Sequence, residues 1–504
     1  MCQENKFLPS VILKGMDRMA NFRFVILTVS FLLLTGCSSG VNPFMENTMV
    51  SPTQKPLQLT RTPVEITNVT NSRGYLTTPQ ELMVIAGKAE QGVEPYHSAV
   101  MDVLQWADRE WKYEFSAQET CASANEPDWN DDDRGTPILY AKALAYHLTG
   151  NIHYAAEVKN ILERIMTEVK DISLDSNQCQ LNFAWGTPEL VASADLIEEY
   201  WRDQTCTGPI STSYFDPEIG LGNCKYFFQN WLVKNPYYVI SLSAESRKSN
   251  WGAAATNTIA YISDYLWDRP DVLLLHRLPL EINDVEFITY SPSEAFVHAN
   301  QLALDRMNGY SVELVSSDSC DDLNGKQQSG NWTPVKSQIS EIGIIPEDAR
   351  REEYCNIPEY NGEYQNYPQV HLGNNIQQCE LMLRRGDPSC FDNVETTDIP
   401  EYAFIGPDGN LKTTHLYPGR GSIEQAIKAI IVDSSTEWRH DSALEVAFRY
   451  YYVYHRLPGF DLWAAQLNGQ SQKSCSQDIC FGKLTHGFSI GEEIPSSPPT
   501  TSPP

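Results

Sequence analysis

GTPILYAKALAYHLTGNIHYAAEVKNIL, residues 135–162, decides the fold class. Ile138, Ala141, Leu144, Ala145 and Leu148 recur at steps of three and one, which places them on one face of a helix. Thr149-Gly150-Asn151 then reads as a stop and a new start. Tyr154, Val158, Ile161, Leu162, Ile165 and Val169 carry the same period into a second helix. The pattern returns near 188–201, 252–267, 293–307, 372–385, 422–432 and 441–456. Paired helices joined by loops predict stacked helical hairpins, an all-α fold in a single large domain over 76–490.

The rest of the composition is consistent with a packed globule. Of 504 residues, 41% are hydrophobic and only 20% charged, which excludes a largely disordered chain or a long coiled coil. A net charge of −28 argues against nucleic acid as a partner and requires a local basic groove for any polyanionic ligand.

At the N-terminus, Arg23 precedes the uncharged run FVILTVSFLLLTG (24–36), too short to span a bilayer comfortably, and the sequence reads as a signal peptide over 1–36. Leu34-Thr35-Gly36-Cys37 resembles a bacterial lipobox, which would make Cys37 the lipidated first residue of an exported chain anchored to a bacterial membrane. A short uncleaved anchor is the other reading. Residues 37–75 form a Ser/Thr/Pro/Asn-rich spacer and 491–504 a Pro/Ser/Thr tail expected to be disordered. Ten further cysteines suit disulfides in an oxidising compartment. Sequence leaves the pairing open. Cys475 with Cys480 would close a short loop, and Cys206 with Cys224 and Cys379 with Cys390 are pairings to test.

No nucleotide-binding loop, GxSxG elbow or HExxH motif is present, and no CxxC pair with partnered histidines suggests zinc. Asp131-Asp132-Asp133 could attract calcium but lacks spaced ligands, so no metal site is assigned and no cofactor is required. The polar stretch 318–362 is long for a loop in a compact domain, which is usual for functional or mobile segments.

Several segments, in order, resemble the alginate lyase superfamily of polysaccharide lyases. They are Pro79-Gln80-Glu81-Leu82 with Glu94-Pro95-Tyr96, the 135–162 helix pair, Gln180 to Trp185, Ser249-Asn250-Trp251-Gly252, GEYQNYPQVHLGNNIQQCELMLRRG (362–386) and EVAFRYYYVYHRLPG (445–459). The resemblance spans about 76–465. It implies an incomplete (α/α) toroid around a groove and cleavage of a uronic-acid polysaccharide, alginate or glucuronan-like, by β-elimination. Two positions depart from the family: Trp251 stands where the best-known members carry histidine after the asparagine, and Tyr367-Pro368 precede His371 where related members carry Arg-Asp.

Elimination needs a partner for the C5 carboxylate, a base for the C5 proton and an acid for the departing O4. Asn250, at a helix start, suits the first task, since an amide and the helix dipole both favour an anion there; ordinary N-capping would also explain it. His371 is the expected base, because neutral imidazole accepts a proton near neutral pH. Tyr367, one helical turn earlier, could supply the proton to O4 or, if ionised by nearby cations, act as base, and packing in the core would also explain it. Arg247 and Lys248 supply positive charge beside Asn250, Trp185 and Trp251 offer flat faces for sugar rings, Arg420 could hold a neighbouring uronate, and His298, on a helix with Arg306, could reach the groove or sit in the core. A glycoside hydrolase on the same scaffold, with Glu189 and Asp195 as its carboxylates, and a non-catalytic glycan-binding lipoprotein are the competing readings.

Overall fold

The helix pair that opens the sequence reading forms as α3 (Thr136–Thr149) and α4 (Ile152–Glu168). Gly150 ends α3 in the left-handed region, where its N–H reaches the Tyr146 carbonyl, and the Asn151 side chain caps α4 through the His153 N–H. Before them run α1 (Pro79–Glu90), started by a reciprocal Thr78/Glu81 capping box, and α2 (Tyr96–Ala107). The spacing suggests an amphipathic α3, but the helix is enclosed nearly all round by α1, α2, α4 and the helix that follows. Its Lys142 is buried with the ammonium directed to the Ala107 carbonyl (2.6 Å) and Glu157 (2.8 Å). That geometry lets an apparently polar position sit inside.

A computed structural model describes residues 74–111, 135–169, 177–213, 218–247, 249–281, 284–308, 345, 348, 366–392, 401–405, 411–415, 422–428, 441–454, 475 and 479–487. The signal peptide, Cys37, the spacer as far as residue 73 and the C-terminal tail lie outside them, as do Asp131-Asp132-Asp133, Lys248 and Arg420. Tyr75, assigned from sequence to the spacer, is buried and stacks on Tyr261, so the packed unit begins before residue 76. The described residues belong to one compact unit.

Along the chain follow α5 (Asn177–Leu196), a short α6 (Glu198–Trp201), α7 (Cys224–Leu232) and α8 (Tyr238–Ser246), with a π-turn at Val233–Tyr237 joining the last two. Pro236, which has no N–H to give, falls inside that wider turn. Next come α9 (Asn250–Tyr265), α10 (Pro292–Asn308) and α11 (Asn366–Arg384), then α12 (Ser389–Asp392), α13 (Ile423–Lys428), α14 (Asp441–Phe448) and α15 (Gly482–His486).

The core is organised about α9. Every residue of it except Trp251 is buried, and α5, α8, α10 and α11 pack around it. A helix closed in on all sides needs small side chains to admit its neighbours, and Ala253, Ala254, Ala255, Thr256, Thr258, Ala260 and Ser263 meet that need. Two polar side chains of α9 bond across interfaces: Thr258 donates to the Ala184 carbonyl of α5 (2.6 Å) and the Asn257 amide to Gln377 of α11 (2.6 Å).

The all-helical expectation describes the core and misses its attachments. Three antiparallel hairpins are present among the described residues: β1 (Thr205–Pro209) with β2 (Ile219–Asn223), β3 (Leu274–Glu281) with β4 (Asp284–Tyr290), and β5 (Glu401–Ile405) with β6 (Leu411–His415). The sequence reading also overlooks the helices between 224 and 246. TCTGP and IGLGN are short and glycine-bearing, so their pairing draws on long-range contacts rather than local period. Cys206–Cys224 pins β1 to the start of α7, and Cys379–Cys390 and Cys475–Cys480 are the other pairs among the described residues. All three match the pairings raised from sequence.

Candidate functional site

Asn250 is the first residue of α9, and Ser249, not Asn250, occupies the cap position. The Ser249 side chain makes no capping bond. Instead, Asp348 Oδ1 accepts the Asn250 backbone N–H at 3.0 Å, so a carboxylate distant in sequence closes the positive end of this helix. The other oxygen of the same carboxylate, Oδ2, lies 2.6 Å from His371 Nδ1. Two residues picked from separate motifs therefore hang on one buried aspartate that the sequence reading did not single out.

The chemistry of that bridge is directional. A carboxylate only accepts, so His371 donates through Nδ1, and the lone pair of the neutral ring stays on Nε2. No hydrogen bond to Nε2 is present among the described residues. Asn250, Asp348 and His371 are each at most 1% exposed. Such enclosure strengthens every charge interaction inside it, and it also means that substitutions here disturb packing. Tyr367 lies one turn before His371 on α11 and is 38% exposed. Asn375, one turn after, is buried, and neither atom of its amide finds a partner among the described residues. Tyr367, His371 and Asn375 thus form a single stripe along α11.

The loop that presents Asn250 is held by Arg306 of α10, buried at 1% exposure. Its guanidinium donates to the carbonyls of Ala244, Arg247 (3.2 Å) and Gly252 (3.0 Å) and to the Thr256 hydroxyl (2.9 Å). This closes the chain from the end of α8 into the first turn of α9. Gly252 is required by the close approach: a Cβ there would lie 1.9 Å from the Arg247 carbonyl oxygen. Arg247 and Trp251 flank the turn, with the guanidinium carbon 5.4 Å from the indole centroid, and both are partly exposed. They are available to a ligand approaching this end of α9.

Other sequence candidates fall elsewhere. Trp185 is 6% exposed and belongs to the core, so its face meets protein rather than solvent. Glu189 and Asp195 are both buried on α5, and Glu189 accepts from the Thr136 hydroxyl. That arrangement does not present two opposed carboxylates to a glycosidic bond. His298 is partly exposed rather than a core residue: its Nε2 lies 2.5 Å from Glu245 Oε1, which His276 Nε2 also contacts at 2.8 Å. Burial by itself would raise the Glu245 pKa, but the hydrogen bonds and charge of these two imidazoles outweigh it and hold the group at about 2.

No family model matches the chain, and no curated protein does. Among solved structures, an alginate lyase from Bacteroides ovatus aligns with a TM-score of 0.43 at 13% sequence identity, covering 82% of this chain and 99% of that one.

Proposed function

We propose that this chain is a polysaccharide lyase built on an incomplete (α/α) toroid, cleaving a uronic-acid polymer of the alginate or glucuronan kind by β-elimination. The observation that carries the reading is the Asp348 carboxylate shared by Asn250 and His371. Asp348 holds His371 with Nε2 ready to accept, the state a general base must have before it removes the C5 proton. The Asn250 amide, at the positive end of α9, neutralises the substrate carboxylate and stabilises the enolate-like charge. As the C4–O4 bond breaks and the C4=C5 double bond forms, Tyr367 delivers a proton to O4. Its exposure suits a group that meets the leaving sugar. Arg247 and Trp251 bind the neighbouring uronate. These steps require no cofactor. The anionic polymer is the partner, and Cys37, through its lipid, would hold the exported enzyme at a bacterial membrane.

Incubation with a panel of uronate polymers, followed by the absorbance of unsaturated uronate, tests the reading. A lyase forms the chromophore together with new reducing ends. New reducing ends without the chromophore would make the protein a hydrolase, and binding with neither would make it a glycan-binding protein.

A further inference from the structure

Glu245, His276 and His298 come from three different elements, α8, β3 and α10, yet bring Glu245 Oε1 and both Nε2 atoms to one point. One ligand atom from each residue lies within 4.8 Å of the others. The geometry points to a binding site for a zinc-class divalent cation, coordinated by Glu245 Oε1, His276 Nε2 and His298 Nε2. The inference is independent of the lyase reading.

Three features support it over an ordinary buried ion pair. First, the donor set is right for the ion: two imidazoles and one carboxylate match zinc and its transition-metal neighbours, whereas calcium and magnesium take oxygen ligands. Second, His276 is buried completely and carries the support that metal-bound histidines have, with Nδ1 2.9 Å from the Tyr237 hydroxyl. With the Nε2 lone pair on the ion, Nδ1–H donates to that oxygen, which fixes the tautomer and the ring plane. Third, the site is graded from closed to open. The side chain of His276 is 0% exposed, that of Glu245 12% and that of His298 27%. Three protein ligands would leave the fourth tetrahedral position to water on the His298 side.

The present contacts of 2.5 and 2.8 Å are hydrogen bonds between would-be ligands. Ligand atoms about 2.0–2.2 Å from a tetrahedral ion stand farther apart than this, so binding replaces the two N–H···O bonds and opens the triangle by under about 1 Å. An ion here would clamp the β3–β4 hairpin and α10 onto the end of α8.

The full chain, stripped with a chelator and then titrated with Zn2+ or Co2+, tests the proposal without any activity assay. One ion retained per chain after gel filtration is expected, together with a raised melting temperature in Zn2+ but not in Ca2+ or Mg2+, and the visible bands of tetrahedral Co2+. His298→Ala, at the open side, and Glu245→Gln, which preserves volume, should lose the ion while keeping the wild-type circular dichroism. Tyr237→Phe should weaken binding about tenfold. Failure of the wild-type chain to retain an ion or to give the Co2+ bands overturns the site, even if the variants fold poorly. Undiminished binding in both folded variants overturns it too, because the ion then sits elsewhere.

Discussion

The two ends of α11 use buried charge in opposite ways. At its C-terminal end, Arg384 donates to Glu380 (2.7 Å), to both oxygens of Glu81 (3.1 and 3.3 Å) and to the Leu76 carbonyl (2.9 Å). His486 Nε2 lies 3.2 Å from Glu380, which places a fourth ionisable group in the same cluster. Glu81 is also the capping residue of α1, so this cluster ties the first described helix to α11. At the N-terminal end, the Asp348–His371 pair stops short of saturation: one imidazole nitrogen is held, the other has no protein partner among the described residues, and the Asn375 amide nearby is unmatched. A buried cluster whose opposite charges pair with one another is a scaffold, because leaving any charged member alone is costly. A buried pair that withholds one basic lone pair is suited to chemistry.

The largest effect should come from breaking the N-terminal end. His371→Gln should reduce elimination by about 10²–10⁴-fold, the range general-base catalysis contributes. Asp348→Asn should also cost orders of magnitude, because an amide at that position can donate to Nδ1 and stabilise the wrong tautomer. Since both residues are buried, turnover must be compared with thermal melts. Near-wild-type elimination by folded His371→Gln would remove His371 as base and, with it, the contrast between the two ends.

Arg384→Ala is the converse experiment. It strands Glu380 and Glu81, and a loss of about 3–5 kcal/mol in urea unfolding is expected, the cost of removing one partner from a buried ion pair. A folded Arg384→Ala of unchanged stability but abolished turnover would reverse the roles of the two ends.

Gly252→Ala should cost about 1–3 kcal/mol through overpacking, as the new Cβ meets the Arg247 carbonyl, and should lower turnover by displacing Asn250. A melt like that of the wild type would show that the turn is looser than its geometry implies.

The smallest effect is a slope with pH. Burial would raise the Glu380 and Glu81 pKa values, but Arg384 and His486 hold both below the ordinary carboxylate range; burial holds His486 below 6.5 despite Glu380. For the histidine, the unfolded chain takes up its proton first, so stability falls as pH drops below about 6.5. For the carboxylates, stability is present above about 4.5 and is lost as pH falls further. Melting temperature should therefore decline on acidification in two stages. Burial also lowers His147, to about 4, so it contributes to the first stage as well. His486→Asn should make that stage shallower without removing it, and an unchanged first stage would assign it to His147.

The sequence was most informative where structure is local. The 135–162 pair, α9, α10 and α14 are written in the spacing of apolar residues, and even three cysteine pairs fall at separations short enough to guess. The hairpins were not legible, because strands of five to eight residues take their stability from a partner rather than from their own period. Asn250 and His371 were found as residues of the right chemical type near helix starts.

What joins them was not in either motif. Asp348 is 98 residues from Asn250 and 23 from His371, inside a stretch with no helical period to draw the eye. The Glu245–His276–His298 triangle likewise spans separations of 31 and 53 residues and matches no spaced ligand motif. Sequence determines which segments coil, because helix formation depends on neighbours three and four residues apart. Which carboxylate faces which imidazole is decided when α8, α9, α10 and α11 pack, because a hydrogen bond depends on positions in space to a few tenths of an ångström and chain distance carries no such information.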